Sequence, residues 1–404
     1  MTAPAAELLQ LQRKAERERI TGYEPEFRLE VKDLDELSEW SRSGVSDGDV
    51  SRALRSARRT PEDLAALISP TAQSRLEELA ASAHAATVRR FGRVMQMFAP
   101  VYLSNECVSE CTYCGFQVFN RDIVRKTIPP KQAAIETRYL GSLGFRHVLL
   151  VSGEHPKHVS ADYVCDCIRE CARHTSSVSV EVQAWDEQTY RRFVEAGCDG
   201  LVIYQEVYDP RRYGDFHLKG NKRFWGWRLG APERALSAGM RRIGLGSLVG
   251  LNSDWRWEAL ALASHASFLM RRFWRSEVTV SLPRLEPATG FERPLKAMSD
   301  RELAQALAAL RLTLPDAGIV LSTREPAWLR DGLVRLGVTH MSAGSRTEPG
   351  GYCEPGGAEQ QFEVADHRPA AQVAAMLRDA GYDPVWKESS PALRRSATTS
   401  DLRI

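Results

Sequence analysis

The sequence predicts an α/β fold: a (βα)8 TIM-type barrel with a helical N-terminal extension and a C-terminal capping segment. Three observations predict it. Eight short aliphatic runs alternate with helical patterns between residues 97 and 343. Several of those helical patterns end in glycine just before the next run, as helix C-termini prefer. Each run also ends in polar residues or glycine. Strand alternating with helix builds a parallel sheet. Eight such units favour closure, with the active site at the carboxyl ends of the strands. An open doubly wound sheet is the alternative, but it usually has fewer strands.

Residues 1–95 read as a helical extension, through LDELSEW, DGDVSRALRSA, TPEDLAALI and SRLEELAASAHAATVRRFG. Thr60 is a good N-cap, followed by Pro61 and two acids in the first turn. The barrel is expected over 96–345. Its runs are MFAPVYLS (97–104), HVLLVS (147–152), VSVEVQ (178–183), GLVIYQ (200–205), RIGLGSLVG (242–250), EVTVSLPR (277–284), GIVLST (318–323) and VTHMSA (338–343). They deliver SNEC, SGEH, EVQAW, YQEVY, SLPR, STRE and SAGS to one end, which is unusual chemistry for plain turns. Residues 346–387 form the capping segment, rich in glycine and proline before one more helix and a short VWKE run. Residues 388–404 are polar and Ser/Thr-rich, and are expected to be a disordered tail.

The formal net charge of the 404 residues is +2, so nothing calls for a nucleic-acid or anionic-membrane partner. No apolar run approaches the roughly 20 residues that span a bilayer. The start, MTAPAAELLQLQRKAERER, has charge where a signal peptide needs an apolar centre. A cytoplasmic location with reduced thiols is expected.

The eight cysteines are therefore not a disulfide framework. Cys165, Cys167 and Cys171 fall on one predicted helix, where only Cys167 and Cys171 share a face; Cys198 and Cys353 are isolated. All five read as packing residues. Cys107, Cys111 and Cys114 remain, in CVSECTYCGF directly after the first run. Structural zinc wants four ligands. An ordinary [4Fe–4S] cluster wants four thiolates. Three thiolates leave one iron open to a small molecule.

C-x-x-x-C-x-x-C followed by Gly-Phe at this place resembles the signature of the radical S-adenosylmethionine (SAM) enzymes. The resemblance implies a [4Fe–4S] cluster on Cys107, Cys111 and Cys114, with SAM chelating the open iron and yielding a 5′-deoxyadenosyl radical. It implies that Tyr113 lies near the adenine and that Ser152-Gly153-Glu154 contacts the SAM ammonium, with serine where the family's first glycine stands. Glu181, Gln183, Gln205 and Glu206 become candidates for ribose and carboxylate contacts, and Gly246 opens a segment accommodating the adenine. Arg284 is assigned to SAM or to structure.

The stretches MFAPVYLSNECVSECTYCGF, HVLLVSGEH, YQEVY, HLKG, GLGSLVGL, LSTREPAWLRD and PGGY resemble the aromatic amino-acid lyases of this superfamily, most closely the tyrosine lyases of thiamine biosynthesis. These cut the Cα–Cβ bond of L-tyrosine to 2-iminoacetate (dehydroglycine) and p-cresol. The resemblance covers about residues 95–387. Arg324 matches the family's carboxylate-binding arginine; Ser322 and Ser342 could hydrogen-bond the substrate. His217 and Lys219 are placed in a lid, and Trp225 and Trp227 in packing. A reductant such as flavodoxin or ferredoxin and a thiazole synthase are the implied partners. Tryptophan lyase of the same family and a non-enzymatic iron–sulfur carrier are the alternatives. The tyrosine lyase of [FeFe]-hydrogenase maturation needs a second cysteine-ligated cluster, and no C-x-x-C follows Cys353.

Overall fold

A computed structural model of the chain describes residue 14 and residues 17–288 and 298–386. Its strands are β1 (Val94–Ser104), β2 (Glu110–Cys111), β3 (His147–Ser152), β4 (Ser177–Glu181), β5 (Gly200–Val202), β6 (His217–Lys219), β7 (Arg242–Gly246), β8 (Glu277–Ser281), β9 (Gly318–Leu321), β10 (His340–Ser342) and β11 (Asp383–Val385). β1, β3, β4, β5, β7, β8, β9 and β10 pair in parallel in that order, and β10 returns to β1. Gln96, Met97 and Phe98 stand opposite His340, Met341 and Ser342, which closes the barrel. The eight-stranded barrel is the expected fold.

Alternation along each strand explains the apolar runs. On β1 Met95, Met97, Ala99, Val101 and Leu103 are buried in the main core, while Phe98, Pro100 and Tyr102 line the lumen. Both faces are covered, so the runs read as nearly continuous hydrophobic stretches. The helices between strands begin at the caps their sequences advertise. Ser160 accepts from the N–H of Tyr163, Asp186 from that of Thr189, and Ser299 forms a capping box with Glu302. Gly197 (φ +109°) and Gly337 (φ +114°) take the left-handed conformation ahead of β5 and β10.

Several strands are shorter than their apolar runs. β5 ends at Val202 and β7 at Gly246, and beyond them neighbouring segments stay bonded only at isolated positions. Leu248 N–H donates to the Glu206 carbonyl (2.9 Å), and Val249 bridges to Arg284. These departures are where the site begins.

The helices Val31–Ser43, Asp47–Arg55, Pro61–Leu67, Pro70–Gln73 and Leu76–Phe91 precede the barrel. They lie against its flank, on the helices Trp255–Arg272 and Asp300–Thr313. The Gln305 amide donates to the carbonyls of Leu67 (2.9 Å) and Ser69 (2.7 Å), and Arg256 to that of Ile68 (2.9 Å). One continuous core runs through these helices and the barrel. After β10 the chain crosses the barrel mouth, forms the helix Ala370–Asp379, and adds β11 to the start of β1. The tail at 388–404 lies outside the described residues.

Candidate active site

β1 delivers the cysteine loop to the barrel mouth, and two side chains fold that loop. The Asn105 amide donates to the Val124 carbonyl (2.8 Å) and accepts the Lys126 N–H (2.7 Å). The Arg125 guanidinium donates to the carbonyls of Phe116 (2.8 Å), Gln117 (2.7 Å) and Asn120 (3.2 Å). β2 then pairs antiparallel with β6. His217 therefore stands in a ribbon with the cysteines, where its Nε2 meets the Tyr113 hydroxyl at 2.9 Å and its Nδ1 the Tyr213 carbonyl at 2.9 Å.

Cys111 is buried, and Cys107 and Cys114 are half-buried. Burial pushes the Cys107 thiol up to about 11, with Glu154 and Cys114 adding to it; burial also raises Cys111 and Cys114. Iron must therefore displace protons from all three. The loop holds no fourth cysteine or histidine. The remaining thiols are elsewhere: Cys165, Cys167 and Cys171 buried on the helix Ala161–Ala172, Cys198 bonded to the Gly200 carbonyl, and Cys353 exposed.

The turn after β3 is zipped onto this loop. Gly153 N–H donates to the Ser104 carbonyl (2.9 Å), and Val108 N–H to the Glu154 carbonyl (2.8 Å). A Cβ on Gly153 would stand 2.4 Å from the Glu106 carbonyl oxygen and 3.2 Å from Cys107 Cβ, so no larger residue fits. The Ser152 hydroxyl is buried without a protein partner, as a group awaiting a ligand would be. Glu154 accepts from Ser109 (3.0 Å) and lies 3.5 Å from Arg228.

A charged cluster continues from there. Glu206 has φ +68°, the one described residue other than glycine with positive φ. It pairs with Lys222 at 2.8 Å and lies 3.8 Å from Arg228. Arg228 also donates to the Tyr204 carbonyl (2.7 Å). Behind it, Glu258 accepts from the backbone of Tyr208 (2.7 Å), from Asn252 (2.9 Å) and from Ser247 (3.0 Å), which fixes the ends of β5 and β7.

Inside this rim a cavity of about 180 Å³ runs along the barrel axis, with Tyr113, Cys114, Glu181, Arg324 and Phe362 among its lining residues. The Arg324 guanidinium lies 3.4 Å from the Phe362 ring centroid. Ser322 and Ser342 line the same cavity. Burial pushes Glu181 up to about 7, with Glu206 adding to the effect and Lys222, Arg324 and Arg228 opposing it.

Other expected site residues stand less directly. Gln183 and Gln205 are buried, and the Gln205 amide reaches the Trp225 carbonyl (3.4 Å). Gly246 faces the Tyr204 ring, which its Cβ would meet at 2.6 Å. Arg284, expected to serve SAM or structure, makes structural contacts. Its guanidinium is taken by both Glu325 oxygens, by Asp300 (2.7 Å) and by the Met298 carbonyl (3.1 Å), contacts that tie loops together.

The comparisons with known proteins agree with this geometry. The Radical SAM superfamily model matches residues 101–263, and the Biotin and Thiamin Synthesis associated domain matches 281–383. The chain is 41% identical over 355 residues to the 2-iminoacetate synthase of Escherichia coli (strain K12), covering 88% of this chain and 94% of that protein. The chain belongs to the 2-iminoacetate synthase family of radical SAM enzymes. A second 2-iminoacetate synthase, from Salmonella typhimurium (strain LT2), is 40% identical over 357 residues, covering 88% of this chain and 94% of that one. The crystal structure of the FeFe-hydrogenase maturase HydG from Carboxydothermus hydrogenoformans is 31% identical with a TM-score of 0.81, covering 90% of this chain and 85% of that one. As a radical SAM lyase, the enzyme uses a [4Fe–4S] cluster and SAM, acts on a small molecule and draws on a reductant. No helix among the described residues is long and apolar enough to cross a membrane.

The thiol triplet, the close-fitting Gly153 and the orphaned Ser152 hydroxyl fit that cofactor pair. Arg228, Lys222, Glu258 and Phe362 escaped sequence reasoning. Arg228 and Lys222 lie in HLKGNKRFWGWR, where only their neighbours were noted; Glu258 and Phe362 sit in stretches with no local signal.

Proposed function

We propose that this enzyme cleaves the Cα–Cβ bond of L-tyrosine to 2-iminoacetate and p-cresol, while SAM becomes 5′-deoxyadenosine and methionine. We further propose that a thiazole synthase receives the 2-iminoacetate. One observation carries the reading: Arg324, stacked on Phe362, shares a cavity with Cys114 of the cysteine loop in a chain of this family.

When bound, the cluster and SAM supply a hydrogen-atom abstractor. Cys107, Cys111 and Cys114 hold the iron. The Ser152–Glu154 edge and the Glu206–Lys222–Arg228 cluster hold the polar groups of SAM. The Arg324 fork takes the tyrosine carboxylate, and its stacking on Phe362 limits the directions it can point. Ser322 and Ser342 orient the substrate's amino end. Tyr102, Tyr204 and Phe362 keep water from the reacting atoms. The protein's main contribution is proximity, since the substrate amine must be held near contact with the abstracting carbon.

The test is anaerobic turnover of the reconstituted enzyme with dithionite, SAM and either tyrosine or tryptophan. Tyrosine-dependent p-cresol is expected. 5′-Deoxyadenosine with no p-cresol would reject tyrosine, and an indole product from tryptophan would replace it.

A further inference from the structure

A tyrosine entering this site at neutral pH carries an ammonium group, whereas the proposed cleavage starts from the amine. Taking a hydrogen atom from an ammonium leaves a radical cation. Taking one from a free amine leaves the neutral nitrogen radical, whose Cα–Cβ bond can part. A proton must therefore leave first, and none of Arg324, Ser322 and Ser342 removes it. A guanidinium has no acceptor site, and serine hydroxyls orient an amine without holding its proton. Burial holds the Tyr102 and Tyr204 phenols protonated, well above their ordinary range.

Four carboxylates among the described residues line the cavity: Glu181, Glu206, Glu277 and Glu286. Glu206 is paired with Lys222 at 2.8 Å, Glu277 with Arg242 at 3.1 Å, and Glu286 is not free either. Glu181 differs, because its carboxylate makes no hydrogen bond or ion pair with any described residue. Strand alternation aims it inward: Ser179 and Glu181 line the lumen, while Val178 and Val180 pack in the main core. Register sets its height, since Glu181 ends β4 opposite Val151, one residue before Ser152 and the turn that carries Glu154. Burial, reinforced by Glu206, pushes it up to about 7 against the pull of Lys222, Arg324 and Arg228. Tyr102 and Tyr204 also feel its charge. A base with a value near the working pH is well suited both to accept a proton and to return it. Arg324 and Glu181 thus give one cavity an unlike pair of charges, which matches the carboxylate and ammonium that an α-amino acid carries on a single carbon.

We propose that Glu181 is the general base of the reaction: its carboxylate takes a proton from the tyrosine ammonium and returns it at the end. The inference rests on the tyrosine lyase reading. First an O–H bond forms at Glu181 and an N–H bond breaks, the electron pair staying on nitrogen. A hydrogen atom then leaves the amine, and the Cα–Cβ bond parts to give 2-iminoacetate and a 4-hydroxybenzyl radical. That radical takes one electron from the reductant and the proton from Glu181, forming the last methyl C–H bond of p-cresol. Glu181 is again a carboxylate, and no net proton is consumed.

The test compares the parent with Glu181→Gln, which keeps the size and removes the base, in the anaerobic holoenzyme with SAM. Without a reductant, calorimetry reads tyrosine binding alone. In the parent, affinity should weaken by about tenfold per pH unit below about pH 7, with one proton released on binding, because the ammonium pairs with the ionised carboxylate. The Gln variant should lack that slope and bind SAM as the parent does. With dithionite at about pH 7.5, p-cresol formation in the variant should fall by about 100-fold or more. The gap should narrow as pH rises and tyrosine arrives with its amine already free. A parent whose tyrosine affinity is flat between about pH 6 and 8 would overturn the proposal. So would equal p-cresol rates, a loss that is the same at every pH, or weakened SAM binding, which would put Glu181 on the cofactor. A parent that cleaves tryptophan but makes no p-cresol rejects the tyrosine reading, and the same pH series on tryptophan then decides the role of Glu181.

Discussion

Substituting Asp366 by alanine would leave a guanidinium buried with its charge unpaired. Arg330, on the helix Ala327–Leu333, and Asp366, in the segment after β10, are ion-paired with both side chains fully buried. Arg330 also donates to the Ser342 carbonyl at the end of β10. Asp366 further accepts from Arg368 (2.9 Å and 2.8 Å), which reaches Asp331 at 2.8 Å. Breaking a fully buried pair by removing one partner costs about 3–5 kcal/mol. Asn at the same place keeps one acceptor oxygen, so Asp366→Asn should fall near the bottom of that range and Asp366→Ala near the top. Urea unfolding of both variants gives the comparison. Destabilisation of less than about 1 kcal/mol, the range of exposed pairs, would refute the argument. The pH dependence adds a sign. Burial would raise the Asp366 carboxyl, but Arg368 and Arg330 outweigh it and hold it below its usual value. Its stabilisation is therefore present above the ordinary carboxylate range and lost as pH falls through the lowered value, so parent and variants should converge in acid. Activity should suffer too, because the backbone N–H groups of Ala365 (3.0 Å) and Asp366 (3.1 Å) both donate to the Thr323 carbonyl, beside Arg324.

Three further outcomes are expected. Gly153→Ala forces a methyl to within 2.4 Å of the Glu106 carbonyl, and should lower both iron content and SAM affinity, by about tenfold for SAM, as read by iron analysis and calorimetry. Arg324→Lys keeps the charge and loses the fork, so p-cresol formation should fall by about 100-fold while uncoupled deoxyadenosine formation continues; unchanged p-cresol would remove Arg324 from the substrate site. Burial lowers His265 to about 3, while its Nδ1 lies 3.1 Å from the Tyr208 hydroxyl. The unfolded chain binds that proton from about pH 6.5 downward, so stability should decline by about 1.4 kcal/mol per pH unit below it. His265→Gln should flatten that slope in urea titrations.

Much of the barrel was legible because its physics is local. Glycine before β5, caps at Ser160 and Asp186, and aliphatic runs covered on both faces all announce themselves within a few residues. The cysteine triplet was legible for the same reason. What stayed hidden depends on closure. Arg228 meets Glu154 and Glu206 only because β3 and β5 deliver their ends to the same mouth. Phe362 meets Arg324 only because the capping segment crosses back over that mouth. Arg284 shows the same dependence: its position at the end of a run was read correctly, while its partner Glu325 lies 41 residues away. The strand ends were overestimated where apolar residues continue past the sheet into the lining of the mouth, as at Leu248.

The seam of the barrel sets a schedule for the growing chain. β1 leaves the ribosome early, yet Gln96 finds His340 opposite it on one side and Val385 in a further pairing, both contributed by the last part of the chain described. Only the upper half of β1 can be satisfied soon, by Val148–Ser152 of β3. Until His340 and Val385 have been made, the lower half offers an unpaired edge bearing Met95 and Met97. Such long-range closure is slow, and during that interval the exposed edge is open to other chains or to a chaperone. The cysteines follow β1 directly, but the β3 turn, β6 and the Glu206 cluster that frame them arrive later. Iron loading is thus a late step of biogenesis, and expression that outpaces folding should yield aggregated, colourless protein rather than folded enzyme lacking iron.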